Sequence, residues 1–108
     1  MRIEKLGDMV GGWFVGDFSP AVLNSEAFEV AVKRYRAGDR EACHCHRQAR
    51  ELTLIVSGEV RMNGVLCRAD DIVVLEPGEW ADFVAVTDAV NVVVKTPSVR
   101  GDKFLKGE

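Results

Sequence analysis

Two histidines and one glutamate are grouped in a pattern that suits metal binding. His44 and His46 lie two residues apart in a short β-rich run. Because side chains alternate along a strand, both imidazoles would leave the same face. Glu51 opens the next strand after a four-residue turn and can bring a carboxylate beside them. Two imidazoles and one carboxylate on one wall of a cavity form the facial arrangement that holds Fe(II), Mn(II) or Zn(II) with open positions.

Two cysteines interrupt this group and suggest a competing zinc site. On a strand, the thiols of Cys43 and Cys45 face away from the imidazoles, so one tetrahedral ion cannot collect all four side chains. Structural zinc motifs also leave two or more residues between paired ligands. We therefore expect these cysteines to be packing residues on the outer face.

The segment Gly38–Gly58 has the spacing G-x5-H-x-H-x4-E-x6-G. It resembles the first conserved motif of the cupin superfamily, including both bracketing glycines, and the resemblance extends over about residues 28–95. It implies a small single-domain cupin, an all-β double-stranded β-helix or jelly-roll barrel of the RmlC-like kind. It also implies a divalent metal (Fe, Mn, Zn or Ni) on His44, His46 and Glu51.

The second cupin motif, G-x5-P-x-G-x2-H-x3-N, is matched poorly. Asp70 stands in place of its first glycine and Glu76 in place of its proline, whereas Gly78 is kept. Ala81 occupies the position of the fourth metal ligand, normally a histidine, and Ala85 occupies that of the asparagine. The resemblance therefore implies at most three protein ligands.

Three hypotheses follow for the site. In the first, the two histidines and Glu51 hold a metal alone, and the Ala81 side is left to water or substrate. In the second, a bulge at the turn brings Asp82 inward as a replacement ligand. In the third, the site is metal-free and polar groups bind a small molecule. A metal is favoured because these three side chains would be costly to bury without a partner.

A pocket beside the ligands would be lined by residues from neighbouring strands. Thr53 and Met62 are expected to share the inward face with Glu51. Residues of the degraded second motif would complete the lining; the expected pocket residues are Thr53, Met62, Ala81, Asp82 and Phe83.

Short strands must position these residues, since no window shows a sustained helical period. Asn63-Gly64 between two apolar runs is a strong hairpin signal, because both turn residues need positive φ. The predicted strands are Phe28–Tyr35, Ala42–His46, Glu51–Ser57, Glu59–Met62, Val65–Arg68, Ile72–Leu75, Ala81–Val86 and Val90–Lys95. This pattern predicts three parts: a segment at 1–27 that covers the barrel, the barrel at 28–95, and a surface tail at 96–108.

Composition narrows the class of protein. A chain of 108 residues with 47% hydrophobic residues predicts one domain with a packed core. The net charge of −3, without a basic cluster, argues against a nucleic-acid partner. No apolar run predicts a signal peptide or a membrane span, and three cysteines fit reduced thiols, so we expect a cytoplasmic protein.

One strand predicts an apolar outer face. If Glu51 points inward, Leu52, Leu54 and Val56 point outward and need a cover. The cover could be the other sheet, the Trp13-Phe14 segment or a second subunit, and a homodimer is our expectation because twofold assemblies are the commonest oligomers.

Two functions remain open at this point. The first is a metal-dependent enzyme acting on a small oxygen-bearing substrate, of the dioxygenase or sugar isomerase type. The second is a non-catalytic cupin that binds or senses a small, sugar-like molecule, with the metal lost or structural. Fold alone does not decide between them.

Overall fold

Eleven short strands make up the computed structural model, which describes residues 1–107. They are β1 (Trp13–Gly16), β2 (Leu23–Asn24), β3 (Glu29–Tyr35), β4 (Arg40–His46), β5 (Arg50–Ser57), β6 (Glu59–Met62), β7 (Val65–Arg68), β8 (Ile72–Leu75), β9 (Ala81–Ala85), β10 (Ala89–Thr96) and β11 (Lys103–Leu105). A single 3₁₀ turn at Leu6–Asp8 precedes them. Each of the eight strands predicted from the sequence is present, with bounds that differ by at most two residues.

The strands form two sheets. One has six strands in the order β2-β1-β3-β10-β5-β8, and the other has five in the order β11-β4-β9-β6-β7. All pairings within the sheets are antiparallel except that of β1 with β2. Neighbouring strands along the chain often belong to different sheets, as a jelly roll requires.

Alternation along β5 shows how the sequence builds the core and the site together. Glu51, Thr53 and Ile55 are buried, whereas Leu52 and Leu54 are only partly buried. Ile55 packs in the apolar core between the sheets, and burial of such a side chain contributes roughly 1.5–3 kcal/mol. The same period of two therefore places Glu51 on the inward face, in line with the core.

The β6–β7 hairpin turns at Asn63-Gly64, as predicted. Asn63 has φ 51° and Gly64 has φ 76°, so both turn residues adopt the left-handed conformation of a type I′ turn. This hairpin fixes the register of β6, which carries Met62 into the interior.

The two terminal segments differ from the prediction. Residues 1–27 contribute β1 and β2 to the edge of the six-stranded sheet, where β1 pairs with β3. In the tail expected on the surface at 96–108, the described residues 96–107 include the buried Ser98 and Asp102 and strand β11, which pairs with β4. Strands of two to four residues carry too little alternation to be recognised, and their pairing depends on sheet edges made elsewhere in the chain.

The outer face of the six-stranded sheet remains apolar and open. Val56, Ile72 and Val74 are exposed, and Leu52 and Leu54 are only half-buried. The Trp13 side chain does not cover this face, because it lines a cavity on the inner side. Among residues 1–107, no helix is long and apolar enough to cross a membrane.

Candidate functional site

Strand β4 carries both histidines to the interior, as the alternation predicted. The His44 and His46 rings lie 5.3 Å apart, edge to face. His46 is buried, with 6% exposure, whereas His44 is half-buried and lies directly opposite Ala81 of β9. A shift in the β4–β9 register between Glu41 and His44 precedes this pair.

Backbone carbonyls set the tautomer of each imidazole. His44 Nδ1 lies 2.8 Å from the carbonyl oxygen of Ala42, and His46 Nδ1 lies 3.0 Å from that of Asp102. A carbonyl can only accept, so Nδ1 of each ring carries the proton and donates it. In a neutral ring with this tautomer, Nε2 carries the bare lone pair, which is the state that a metal-binding histidine needs.

His46 and Glu51 form a buried pair. His46 Nε2 lies 3.9 Å from Glu51 Oε1, and this nitrogen has no hydrogen-bond partner among the described residues. Burial and the nearby Lys95 lower the pKa of His46 to about 4, so the ring is neutral at pH 7. A lone pair facing a carboxylate oxygen is unfavourable unless a cation or proton lies between them.

Burial lowers the pKa of His46 but raises that of Glu51. Loss of hydration raises the pKa of the Glu51 carboxyl, while the charge of Lys95 lowers it. Lys95 is the register partner of Glu51 on β10, and its ammonium lies 3.4 Å from Glu29 Oε1. A cation at Glu51 would relieve the cost of ionising this buried carboxyl.

Asp102 fixes the turn between the two ligand-bearing strands. Its buried carboxylate accepts hydrogen bonds of 2.9–3.1 Å from the backbone N–H groups of Arg47, Gln48 and Ala49. The chain then continues into β11, where Lys103 pairs with His46. The C-terminal segment thus holds the spacing between the histidines and Glu51.

A cavity of about 150 Å³ lies beside this group. His44 and Glu51 line it, whereas His46 lines a neighbouring cavity of about 360 Å³ together with Glu29 and Asp102. All five residues that the sequence analysis assigned to the pocket line the smaller cavity, namely Thr53, Met62, Ala81, Asp82 and Phe83.

The predicted ligands are only partly assembled. His46 and Glu51 approach each other, and His44 lines the same cavity as Glu51, yet within residues 1–107 no three His, Cys, Asp or Glu side chains are gathered in metal-binding geometry. Two ligand atoms on one ion lie at most about 4.4 Å apart, since each bond is about 2.0–2.2 Å. The 3.9 Å separation between His46 and Glu51 is inside that limit, so donor type, tautomer and spacing of this pair fit a cation.

The strand opposite His44 offers no replacement ligand. Ala81 occupies the inward position beside His44 and is buried. Asp82 is exposed, and its Oδ1 accepts a 2.8 Å hydrogen bond from the N–H of Asn63. The hypothesis that a bulge turns Asp82 inward as a metal ligand is therefore wrong, because the hairpin holds its carboxylate at the rim.

Several polar residues of the site were not singled out from the sequence. Lys33, Asn91 and Lys95 line the cavity, as does Trp13. Asn91 and Lys95 interrupt the valine run of β10 at positions that alternation sends inward, so this signal could have been found. The role of Asp102 has no local signal, because it depends on a contact across more than 50 residues.

Comparisons with known proteins bear on the fold. No protein-family model and no curated protein matches the chain. Among solved structures, an uncharacterised conserved protein with a double-stranded β-helix domain from Klebsiella pneumoniae subsp. pneumoniae is similar over 99% of this chain and 93% of its own, with a TM-score of 0.73 and 22% identity.

Two further structures show the same architecture. An RmlC-like cupin from Shewanella frigidimarina matches over 71% of each chain, with a TM-score of 0.64 and 22% identity. Oxalate decarboxylase from Bacillus subtilis matches 76% of this chain and 24% of its own, with a TM-score of 0.68 and 17% identity. The predicted fold class is thereby confirmed: the protein has the cupin fold, a double-stranded β-helix in one small domain.

Proposed function

We propose that the protein binds one divalent cation through Nε2 of His44, Nε2 of His46 and a carboxylate oxygen of Glu51. The observation that carries this proposal is the buried, unpartnered Nε2 of His46, 3.9 Å from a Glu51 oxygen. Two backbone carbonyls hold both rings in the metal-binding tautomer. His44 completes the set from the rim of the cavity once a cation draws the three side chains together.

The cavity beside this centre would receive a small oxygen-bearing ligand. A bound Fe, Mn, Zn or Ni ion would polarise a ligand oxygen or activate water or O2. Because Ala81 leaves the position beside His44 without a protein ligand, the open side of the centre faces the cavity. This arrangement favours an enzyme, of the dioxygenase or sugar isomerase type.

A second function is supported by a different observation. Within residues 1–107 the three ligands are not preassembled, and a catalytic metal centre is usually held by preorganised ligands. The alternative is a non-catalytic module whose cavity binds or senses a small, sugar-like molecule, with the metal absent or structural.

Calorimetric titration of Mn(II) and Zn(II) into chelator-treated protein tests the metal proposal. We expect one site per chain in the wild type, and more than about a hundredfold weaker binding in His46→Gln and Glu51→Gln, since even outer-sphere changes cost 10–100-fold. Cys43→Ser is the matched control from the same strand and should bind like the wild type. Wild-type protein that binds neither ion would refute the proposal and leave the metal-free module.

We also propose that a second copy of the chain covers the outer face of the six-stranded sheet. The exposed apolar side chains of this face lie on the neighbouring strands β5 and β8, and Ile72 is 62% exposed. A twofold contact would bury this self-complementary surface. Sedimentation should show a dimer that Ile72→Glu converts to a monomer; a wild-type monomer at high concentration would contradict the assignment.

A further inference from the structure

Asn91 presents an unsatisfied acceptor to the cavity. It lies on β10, is 1% exposed, and its Oδ1 has no hydrogen-bond partner among the described residues. Its side chain lines the same cavity as His44 and Glu51. A buried amide oxygen without a donor is unfavourable, so the cavity favours a ligand that brings one.

Lys33 neighbours Asn91 across the six-stranded sheet. It is the register partner of Asn91 on β3, and it lines the cavity with its ammonium 5.5 Å from the centre of the Trp13 ring. Within residues 1–107 no carboxylate forms an ion pair with it, whereas the ammonium of Lys95 is paired with Glu29. Lys33 is therefore a cation with its charge available to a ligand.

The carboxylates of the cavity come from both sheets, and that of Glu41 lies near Tyr35. Glu41 and Asp82 belong to the opposite, five-stranded sheet. Glu51 shares the sheet with Asn91 but pairs in register with Lys95, four residues further along β10, which is about 13 Å at the strand rise. Along the six-stranded sheet, the proposed metal ligand Glu51 and the cationic end of the cavity at Lys33 are thus separated by about four residues of strand.

Tyr35 adds a hydroxyl near the cationic end, beside the Glu41 carboxylate. It follows Lys33 on the same face of β3 and stacks on Phe83, with ring centres 4.4 Å apart. Burial raises the pKa of its hydroxyl, and the neighbouring Glu41 carboxylate raises it further, so the hydroxyl keeps its proton.

We propose that the cationic end of the cavity recognises a small hydroxycarboxylate. Lys33 binds the carboxylate of the ligand, and the ligand hydroxyl donates to Oδ1 of Asn91. The volume of about 150 Å³ restricts the ligand to a few carbon atoms, since it is below the 300–1,000 Å³ of pockets for drug-sized molecules. This inference rests on the ligand-binding cavity of the proposed function and names its substrate class.

Three probes of similar size separate the two contacts. Glycerate carries both groups, propanoate lacks the hydroxyls, and glycerol lacks the carboxylate. Titrated into protein kept in chelator, glycerate should bind most tightly and glycerol least. Equal affinities for glycerate and glycerol would overturn the proposal.

Variants assign the contacts to residues. Lys33→Met should weaken glycerate binding by about 10- to 100-fold, as expected for a charge-assisted hydrogen bond, and Lys106→Met is the matched surface control. Asn91→Leu should weaken it about 3- to 10-fold and remove the preference for glycerate over propanoate. Glycerate binding that is unchanged in Lys33→Met would refute the assignment.

One further measurement makes the test independent of folding, and the use of chelated protein makes it independent of the metal. If Asn91→Leu does not fold, the side-chain amide resonances of wild-type Asn91 should shift with glycerate and stay fixed with glycerol; an unmoved signal at saturation contradicts the contact. Because the titrations use chelated protein, glycerate binding with no metal binding would refute only the metal centre, and the reverse result would refute only this inference.

Discussion

Removal of the Asp102 carboxylate should destabilise the protein more than removal of any ordinary surface aspartate. In Asp102→Ala, three backbone N–H groups lose their acceptor. Ala49 is buried, so its N–H would be left unsatisfied at about 1.5–3 kcal/mol. Arg47 and Gln48 are exposed, and water can replace most of their lost bonds. We expect a total loss of about 3 kcal/mol, or a fall in Tm of roughly 10–20 °C.

Chemical and thermal unfolding of the chelated protein measures this loss. Asp88→Ala is the matched control, because exposed Asp88 accepts a single backbone hydrogen bond, from Ala37. It should cost no more than about 1 kcal/mol. If the two variants unfold alike, the Asp102 carboxylate does not hold the turn between the ligand-bearing strands, and the reasoning is refuted.

The remaining predictions concern pH, the vacant ligand position and the bracketing glycines. The pKa of His46 is about 4 in the fold against an ordinary 6.5, so His46 takes up its proton at a higher pH in the unfolded chain than in the folded one. The free energy of unfolding of chelated wild type should therefore fall by about 3 kcal/mol between pH 6.5 and 4. This loss should vanish in His46→Gln. Ala81→His should tighten Zn(II) binding at least about tenfold, because position 81 lies opposite His44. An unchanged Zn(II) affinity in calorimetry would show that the side chain at position 81 does not face the ion. Gly58→Ala should cost about 2 kcal/mol or more in denaturant unfolding, because φ is +83° and the added Cβ would clash with the backbone oxygen of Asp88. Gly38→Ala, with φ +91° and open space around the added Cβ, should cost less, and equal losses would exclude the steric reason.

The local sequence pattern was sufficient to predict most strands of the barrel. In β5 the alternation of polar and apolar residues gave both the strand and the inward direction of Glu51. The Asn63-Gly64 pair gave the hairpin because few other residues accept positive φ. In contrast, β11 has three residues and is held by its pairing with β4, a contact that no local window contains.

In the candidate site too, local spacing predicted some residues, whereas others depend on long-range contacts. His44, His46 and Glu51 have a recognisable spacing, so the sequence was enough to nominate them. The sequence did not show that His46 would line a different cavity from the other two, because this depends on how deep each side chain lies between the sheets. Asp102 supplies a carbonyl to His46 from across the fold, and such long-range contacts follow only from the assembled structure.

Nitrogen NMR of the two imidazoles tests the metal centre most directly, since His44 and His46 are the only histidines in the chain. In chelated protein at a pH where both rings are neutral, both should show a protonated Nδ1 and a bare Nε2. Addition of one equivalent of Zn(II) should shift both Nε2 resonances and leave both Nδ1–H groups in place. Nε2 signals that stay unchanged at zinc saturation, or that move for one ring alone, would contradict a centre built on His44, His46 and Glu51.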